Sequence, residues 1–422
     1  MAAFLGMRGT GNWVTNQRPE NWREMILFLY PNGMAPLTAI MSKMRSESID
    51  DPTFHWWIKT LPDQRGVVTG IYTDVLSSAY SSGGVVTSVL YVKMAEADCD
   101  KIRIGHIIQL KDASDPTNTV AARVTAVTKN GSSSYATIAL LEADDNSSQS
   151  NNLANADSFL IIGNANEEGA DTPNVIAYDP SEVYNYLQIF RTPTSITNTA
   201  KVTHLRTGDP YQENLREALE LHSMEMEKAF LFGVRYATTG SLSKPLRYTA
   251  GIRTWITTNV DAFQFNTNYG GQTWLQGGEA WLDGFCEQIF RFGKNEKLVF
   301  AGSGALLGLQ QLVKASAQMT ISGVVKSYGI AVTEWVTPFG TINVITHPLF
   351  SYESTYRHSM LFLEPAKLTY KYLTGRDTKL LKNRQGNGID GQIDEYLTEA
   401  GLELDHEQCF GWVDGVGVDN VL

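Results

Sequence analysis

Residues 209–233 read DPYQENLREALELHSMEMEKAFLFG, and this stretch predicts one long helix. Asp209 is a favoured N-cap residue, and Pro210 suits the first turn because an N–H there would have no helical partner. Mostly apolar or small residues then recur at steps of three or four, at Leu215, Leu219, His222, Met226, Ala229 or Phe230, and Gly233. Taken alone, this pattern also fits an ordinary amphipathic core helix. At about 36 Å, however, it would span a whole domain, and we expect the other elements to pack around it.

The composition indicates an ordered chain with several packed parts. Its 422 residues are 43% hydrophobic and 19% charged, enough for two or three such parts. The net charge is −11, and no Lys/Arg cluster resembles a phosphate-tracking groove, which argues against tight nucleic-acid binding. Cys99, Cys286 and Cys409 are far apart and odd in number, which favours reduced thiols over a disulfide framework. Residues 1–30 show no signal-peptide pattern, so the sequence indicates a protein made and used inside a cell.

No motif in the sequence assembles a catalytic or cofactor site. Gly302, Gly304 and Gly308 resemble a phosphate loop, but no Gly-Lys-Ser/Thr ends the run, and close helix–strand packing explains them better. The seven histidines are scattered, without HExxH spacing. Adjacent acidic pairs such as Glu167-Glu168 lie in predicted loops, where solvation is expected and a cation between subunits is the alternative. We therefore expect a protein that is not an enzyme, with no catalytic, cofactor-binding or metal-binding residues and no cofactor.

The pattern along the chain predicts an arm, a ribbon, a β domain and an α+β unit. Residues 1–52 carry too few core residues for a domain and indicate an extended arm that needs another surface. Residues 53–61 and 183–199 are strand-like and bracket about five short strands, which predict an inserted barrel or sandwich. After the long helix, residues 251–256 predict a strand, and residues 278–292 predict a helix with Trp281, Phe285, Ile289 and Phe292 on one face. Alternation of helices and strands from there on predicts helices over a sheet.

The two bracketing segments are rich in aromatic residues. If they pair, they form a ribbon with little core of its own, and its aromatic side chains would be costly to leave in water. Two interpretations stay open: these side chains pack on the same chain, or they anchor an interface between copies, where aromatics are enriched. The second interpretation nominates as inter-subunit contacts Trp56, Trp57, Tyr184, Tyr186, Gln188, Phe190, Arg191 and Trp22.

Several phrases, in this order along the chain, carry a resemblance to a known family. They are FHWWIKTL (54–61), GNANEEGAD (163–171), NYLQIFR (185–191), GIRTWITTN (251–259), FGTINVI (339–345) and TGRDTKLLKNRQG (374–386). Together with the order of parts, they resemble the major capsid proteins of tailed bacteriophages (Caudoviricetes), which have the Hong Kong 97-type fold. The subfamily with a β domain inserted in the extended loop is the most similar. Residues 1–52 match only as a generic arm.

The resemblance implies an α+β fold with five parts. These are an N-terminal arm (1–52), an extended loop (53–84 and 166–203), an inserted small β-barrel or sandwich (85–165), a peripheral domain (204–255 and 376–422) containing the spine helix 209–233, and an axial domain (256–375). In such shells the extended loop lies across a neighbouring subunit, and the arm reaches along another. This agrees with the two segments that lack cores of their own.

The resemblance implies a structural role. Copies of the chain would self-assemble as hexamers and pentamers into the icosahedral head around packaged double-stranded DNA, without sequence-specific DNA binding or a membrane. The protein would be part of the virion, assembled in the cytoplasm of the host bacterium. Portal, decoration and separate scaffolding proteins are compatible partners, whereas a cleaved N-terminal scaffold is not expected. The alternatives are an encapsulin-like bacterial compartment shell and a soluble carbohydrate-binding protein or hydrolase.

Overall fold

The structure is a computed structural model that describes residues 44–59, 63–114, 119–144, 153–169, 171–203, 209–316, 325–327 and 330–422. Trp22 and most of the predicted arm lie outside the described residues. The described chain forms two compact units, one of residues 44–56 with 182–422 and one of residues 57–181. The mixture of helices and strands confirms the predicted α+β class.

Both units contain short strands joined by turns, and nearly all of the helices in the described residues belong to the first unit. The helices are α1 (Glu96–Cys99), α2 (Asn198–Val202), α3 (Pro210–Phe232), α4 (Ile252–Trp255), α5 (Trp274–Ile289), α6 (Ser303–Ser316) and α7 (Pro348–Tyr352). The strands are β1 (Arg45–Ile49), β2 (Thr53–Ile58), β3 (Arg65–Tyr72), β4 (Val89–Met94), β5 (His106–Lys111), β6 (Thr119–Thr128), β7 (Tyr135–Leu140), β8 (Ser158–Asn164), β9 (Ser181–Tyr186), β10 (Gln188–Thr197), β11 (Tyr236–Thr239), β12 (Pro245–Tyr248), β13 (Val260–Ala262), β14 (Glu296–Ala301), β15 (Val325–Ser327), β16 (Ile330–Val336), β17 (Thr341–Thr346), β18 (Met360–Leu363), β19 (Leu368–Leu373), β20 (Lys379–Leu381), β21 (Gly391–Leu404) and β22 (Gly411–Asp414).

The long helix α3 has the predicted bounds. The Asp209 carboxylate accepts a hydrogen bond from the backbone N–H of Tyr211 at 2.9 Å, as an N-cap should. The buried face is formed by Leu215, Ala218, His222, Met226, Glu227, Phe230 and Leu231. Leu219 was predicted to lie on this face but is 41% exposed, because Ala218 takes the inward position of that turn.

Helix α3 packs on a five-stranded sheet of order β1-β19-β21-β10, in which β20 also pairs with β21. Strand β10 pairs with β21 along its whole length, from Gln188 opposite Ala400 to Thr197 opposite Gly391. The prediction that residues 183–199 belong to a coreless extended loop is therefore wrong for β10, which is part of a packed sheet. Strand β1, at the end of the predicted arm, pairs in parallel with β19.

A second, seven-stranded sheet has the order β13-β22-β18-β14-β17-β16-β15. Helix α5 covers it with a predicted aromatic face, and Trp281, Phe285 and Ile289 are buried with strand residues such as Val299. Phe292 was predicted on the same face but is 54% exposed, because the helix ends at Ile289. Residues 252–255 form the short helix α4 rather than the predicted strand, because the N–H of Ile256 bonds back to the carbonyl of Ile252.

The second unit contains a closed barrel of order β3-β4-β7-β6-β5-β8. Five of its strands correspond to those expected between residues 85 and 165. The sixth, β3, was assigned to the extended loop, so the barrel begins near Arg65 rather than at residue 85. A β-bulge between Val68 and Gly70 breaks the simple alternation that identifies a strand, although Val68 and Ile71 both face the core.

His222 joins α3 to the five-stranded sheet through buried hydrogen bonds. Its Nδ1 lies 3.0 Å from the Thr192 hydroxyl, and its Nε2 lies 2.8 Å from the Thr398 hydroxyl. Burial lowers the pKa of His222 below its ordinary value, and the nearby Glu225 carboxylate opposes this in part. The unfolded chain therefore takes up the proton first on acidification, so the contribution of His222 to stability is present above about pH 6.5 and is lost as the pH falls.

We expect this pH-dependent loss of stability to appear when the wild type is compared with the variant His222→Gln. Denaturant unfolding of the unassembled subunit should show the variant less stable at about pH 7.5, with the difference from the wild type shrinking by about pH 5. Carboxylates titrate in both proteins, so their effect cancels in the difference. A difference that stays constant over this range would contradict the assignment.

Candidate inter-subunit surface

Strands β2 and β9 pair as a two-stranded sheet, so the two bracketing segments meet the condition for a ribbon over these strands. Side chains alternate between the two faces of this ribbon because successive residues of a strand point in opposite directions. In β2, Phe54 and Trp56 are buried, whereas His55 and Trp57 are exposed. The ribbon therefore has one inner and one outer face, and the nominated residues are divided between them.

The inner face belongs to the subunit itself. Trp56 is 8% exposed, stacks on Phe54 with ring centroids 5.8 Å apart, and meets Trp255 edge-on at 5.6 Å. Asn185 is wholly buried, and its side-chain amide donates to the Leu402 carbonyl at 2.8 Å while its side-chain oxygen accepts from the Ala250 N–H at 2.9 Å. These contacts anchor β9 to the main body.

The outer face carries aromatic side chains that are only partly covered. The His55 ring stacks on Tyr184 at 5.6 Å, and Tyr184 meets Tyr186 edge-on at 5.7 Å. The Arg235 guanidinium lies 4.1 Å from the centroid of the Tyr184 ring, a cation–π contact that holds this ring in place. We call His55, Tyr184, Tyr186 and Arg235 the outer aromatic patch. Trp57 is not part of this patch and is exposed, with 65% of its surface accessible.

The remaining nominated residues contact their own chain. Phe190 is 5% exposed and meets Phe230 of α3 edge-on at 5.8 Å. The Gln188 side-chain oxygen accepts from the Thr249 N–H at 3.1 Å. The Arg191 guanidinium donates to the Glu395 carboxylate at 2.5 Å, although Arg191 itself remains exposed. Among the nominated aromatic side chains, exposure therefore singles out Trp57, followed by the half-buried Tyr184 and Tyr186, as available to another molecule.

Sequence reasoning missed His55, Arg235 and the hairpin formed by β11 and β12. Arg235 comes two residues after Gly233, where the helix and its apolar pattern end, so periodicity assigns it no role. The hairpin does have a sequence signal, because the segment YATTGSLSKPLRY (236–248) places a glycine and a proline between two short strand-like runs.

The described residues provide no feature of a metal centre. No group of three or more histidine, cysteine, aspartate or glutamate side chains converges in this part of the chain. Cys99, Cys286 and Cys409 are each buried and unbridged. Among the described helices, none is long and apolar enough to cross a membrane.

Comparison with known proteins identifies the kind of molecule that carries this surface. The family model for the SU10 major capsid protein matches residues 7–417. The major capsid protein of Pseudomonas phage PaMx41 is 24% identical over 437 residues, covering 99% of this chain and 97% of that protein. Among solved structures, the capsid of an empty GTA particle covers 97% of this chain and 98% of its own, at 8% identity and a TM-score of 0.43. The capsid of the Cyanophage P-SCSP1u covers 61% of this chain and 80% of its own, at 11% identity and a TM-score of 0.36.

A family match over nearly the whole length makes this protein a bacteriophage major capsid protein, a structural subunit of the shell of the virion. The chain belongs to the SU10 major capsid protein family. The resemblance inferred from the sequence phrases is confirmed by this match, and the alternative of an encapsulin-like compartment is less supported.

Proposed function

We propose that copies of this chain form, through hexamers and pentamers, an icosahedral head of the Hong Kong 97 type around double-stranded DNA. The observation that carries the proposal is the capsid-family match over residues 7–417. The long helix α3 across a sheet, followed by a second helix-covered sheet, supports the assignment of a peripheral domain and an axial domain. Assembly would take place in the host cytoplasm, with portal, scaffolding and decoration proteins as compatible partners.

The proposed division of the chain keeps the five parts and moves several boundaries. The barrel starts at β3, near Arg65. Strands β10 and β19 join the peripheral domain because they pair with β21, and β22 joins the axial domain because it pairs with β18. What remains of the extended loop is the ribbon of β2 and β9 with the segments on either side of the barrel. The barrel is then an insertion in that loop. The proposed role is structural rather than enzymatic, since the family that the chain matches is one of major capsid proteins.

The proposed contact with a neighbouring copy uses Trp57 and the outer aromatic patch. A large exposed tryptophan is costly in water and is a frequent anchor of interfaces. The contacts of Tyr184 with His55 and Arg235 order its ring before association, which reduces the entropy lost on binding. In contrast, Trp56 and Phe190 stabilise the subunit from within.

Sedimentation velocity of the purified full-length chain tests the proposal. We expect megadalton shells for the wild type and mainly unassembled, folded subunits for Trp57→Ala, because removing an interface anchor of this size costs about 2 kcal/mol or more. Circular dichroism and thermal unfolding of the Trp57→Ala subunit should match those of the wild type.

Trp56→Ala is the matched control, one residue away on the opposite face of the ribbon. It should lower the unfolding temperature of the subunit itself, because Trp56 packs on Phe54 and Trp255. A wild-type species of fewer than a dozen subunits would defeat the shell proposal. Unchanged assembly of Trp57→Ala would remove Trp57 from the interface.

A further inference from the structure

The hairpin of β11 and β12 projects from a rigid base at the end of α3. Its two ends meet where the Gly251 N–H donates to the Gly233 carbonyl at 2.8 Å. A Cβ at Gly233 would lie 2.4 Å from the Ala229 carbonyl oxygen, and one at Gly251 would lie 2.5 Å from the Gly233 nitrogen. Only glycine permits this approach. The base is also held by Asn185, which accepts from the Ala250 N–H.

Beyond that base, the hairpin exposes apolar side chains on a single face. Tyr236 pairs with Tyr248, and Thr238 pairs with Leu246, so these four side chains share a face. The exposed fraction is 58% for Tyr236, 43% for Leu246 and 39% for Tyr248, and Leu242 at the tip is 84% exposed. All four residues of β11 and three of the four in β12 are exposed. A two-stranded hairpin is marginal in water without a surface to cover it, so this element requires a partner.

The charge of the hairpin region is opposite to that of the rest of the chain. Residues 228–260 contain no Asp or Glu, and their cations are Lys228, Arg235, Lys244, Arg247 and Arg253. The whole chain carries −11, so the remainder carries −16. Two copies of this protein are therefore electrostatically complementary where this segment of one meets the acidic surface of another.

We propose that the β11–β12 hairpin is an assembly element that docks, through its apolar face and its cations, on a second copy of this chain. The capsid class supplies such copies at high local concentration. Packaged DNA fits the hairpin less well, because its exposed face is apolar and it carries only Lys244 and Arg247 beyond the base, whereas phosphate backbones are bound by denser clusters of cations. This inference rests on the proposed shell but concerns a different surface from Trp57.

The apolar contribution is tested with Leu242→Ser combined with Leu246→Ser in the full-length chain. The fraction of chains in shells, measured by sedimentation at fixed protein and salt concentration, should fall by about tenfold or more. The unassembled variant should unfold at the same temperature as the wild type, because both side chains face water in the free subunit. The control pair Leu242→Met and Leu246→Met keeps apolar surface at both positions and should assemble normally.

The charge contribution is tested with Lys244→Glu combined with Arg247→Glu. Light scattering should show slower assembly than for the wild type, and the difference should shrink at high salt because screening weakens the attraction. The control Lys244→Arg with Arg247→Lys should assemble at the wild-type rate. Binding of short double-stranded DNA by the unassembled subunit is measured in parallel and should be the same in all variants.

Three results would overturn the inference. Normal assembly of the serine pair would show that the hairpin docks on nothing in the shell. A lowered unfolding temperature of the unassembled serine variant would show that its own chain covers the hairpin. A charge-reversed variant that loses DNA binding but assembles normally would make DNA the partner. Failure of the wild type itself to form shells would instead refute the proposed function, so the two failures are distinguishable.

Discussion

Replacing Lys297 by methionine is expected to destabilise the unassembled subunit by about 3–5 kcal/mol, because it leaves a carboxylate unpaired in the interior. Lys297 is wholly buried, and its Nζ lies 3.3 Å from the Glu364 carboxylate, whose side chain is 3% exposed. The same ammonium donates to the Phe292 carbonyl at 3.1 Å and to the Cys409 carbonyl at 3.0 Å. One side chain therefore connects the end of α5, the loop after β18 and the turn before β22.

Denaturant unfolding at neutral pH measures this effect, and two variants control for it. Lys314→Met changes an exposed lysine to the same residue and should stay within about 0.5 kcal/mol of the wild type. Combining Lys297→Met with Glu364→Gln removes the unpaired charge and should recover a large part of the loss. If Lys297→Met alone unfolds like the wild type, the buried pair does not stabilise this unit.

Truncation of Phe230 to alanine is the second large expected effect, about 3–5 kcal/mol of lost stability. Phe230 is wholly buried on α3 and meets Phe190 of β10 and Tyr370 of β19 at ring-centroid distances of 5.8 and 6.2 Å. The cavity would open where the long helix packs on the five-stranded sheet. Both elements hold this region in place, so the surrounding side chains can fill the cavity only in part.

Leu219→Ala is the matched control, because it removes an apolar side chain from the same helix at an exposed position. Its unfolding free energy should change by about 0.5 kcal/mol or less. The comparison tests the position of the buried stripe, since the sequence pattern placed both residues on it. Equal losses for the two variants would mean that Leu219 is covered in the subunit.

The comparison of Leu219 with Phe230 shows what periodicity can resolve. Steps of three and four select the helix and its general inward side, but the stripe is wide enough that one turn can use Ala218 or Leu219. The choice depends on the surface that meets the helix. The same limit applies to the ribbon, where alternation predicts two faces but cannot say that Trp56 faces Trp255 while Trp57 faces away.

The burial of several aromatic side chains within the subunit reduces the number that can contact another copy. The sequence left open whether the aromatic side chains of the two bracketing segments pack on their own chain or at an interface, and Trp56 and Phe190 pack within their own unit. On the two bracketing segments, the uncovered aromatic surface therefore lies on Trp57 and, in part, on the outer aromatic patch, and the β11–β12 hairpin exposes Tyr236 and Tyr248 besides. The capsid identification depends on the family match, and these surfaces indicate where contacts between copies are to be sought.

The sequence by itself determined the long helix with its Asp209 cap, five of the barrel strands, the α+β class and the capsid resemblance. These features depend on short-range patterns, namely side-chain periodicity, capping and the order of local phrases. Only the tertiary structure decided which aromatics are buried, that β10 joins the sheet beside β21, and that Lys297 meets Glu364. Those outcomes depend on residues far apart in the chain, whose contacts form only when packing, desolvation and hydrogen bonding of whole elements are satisfied together.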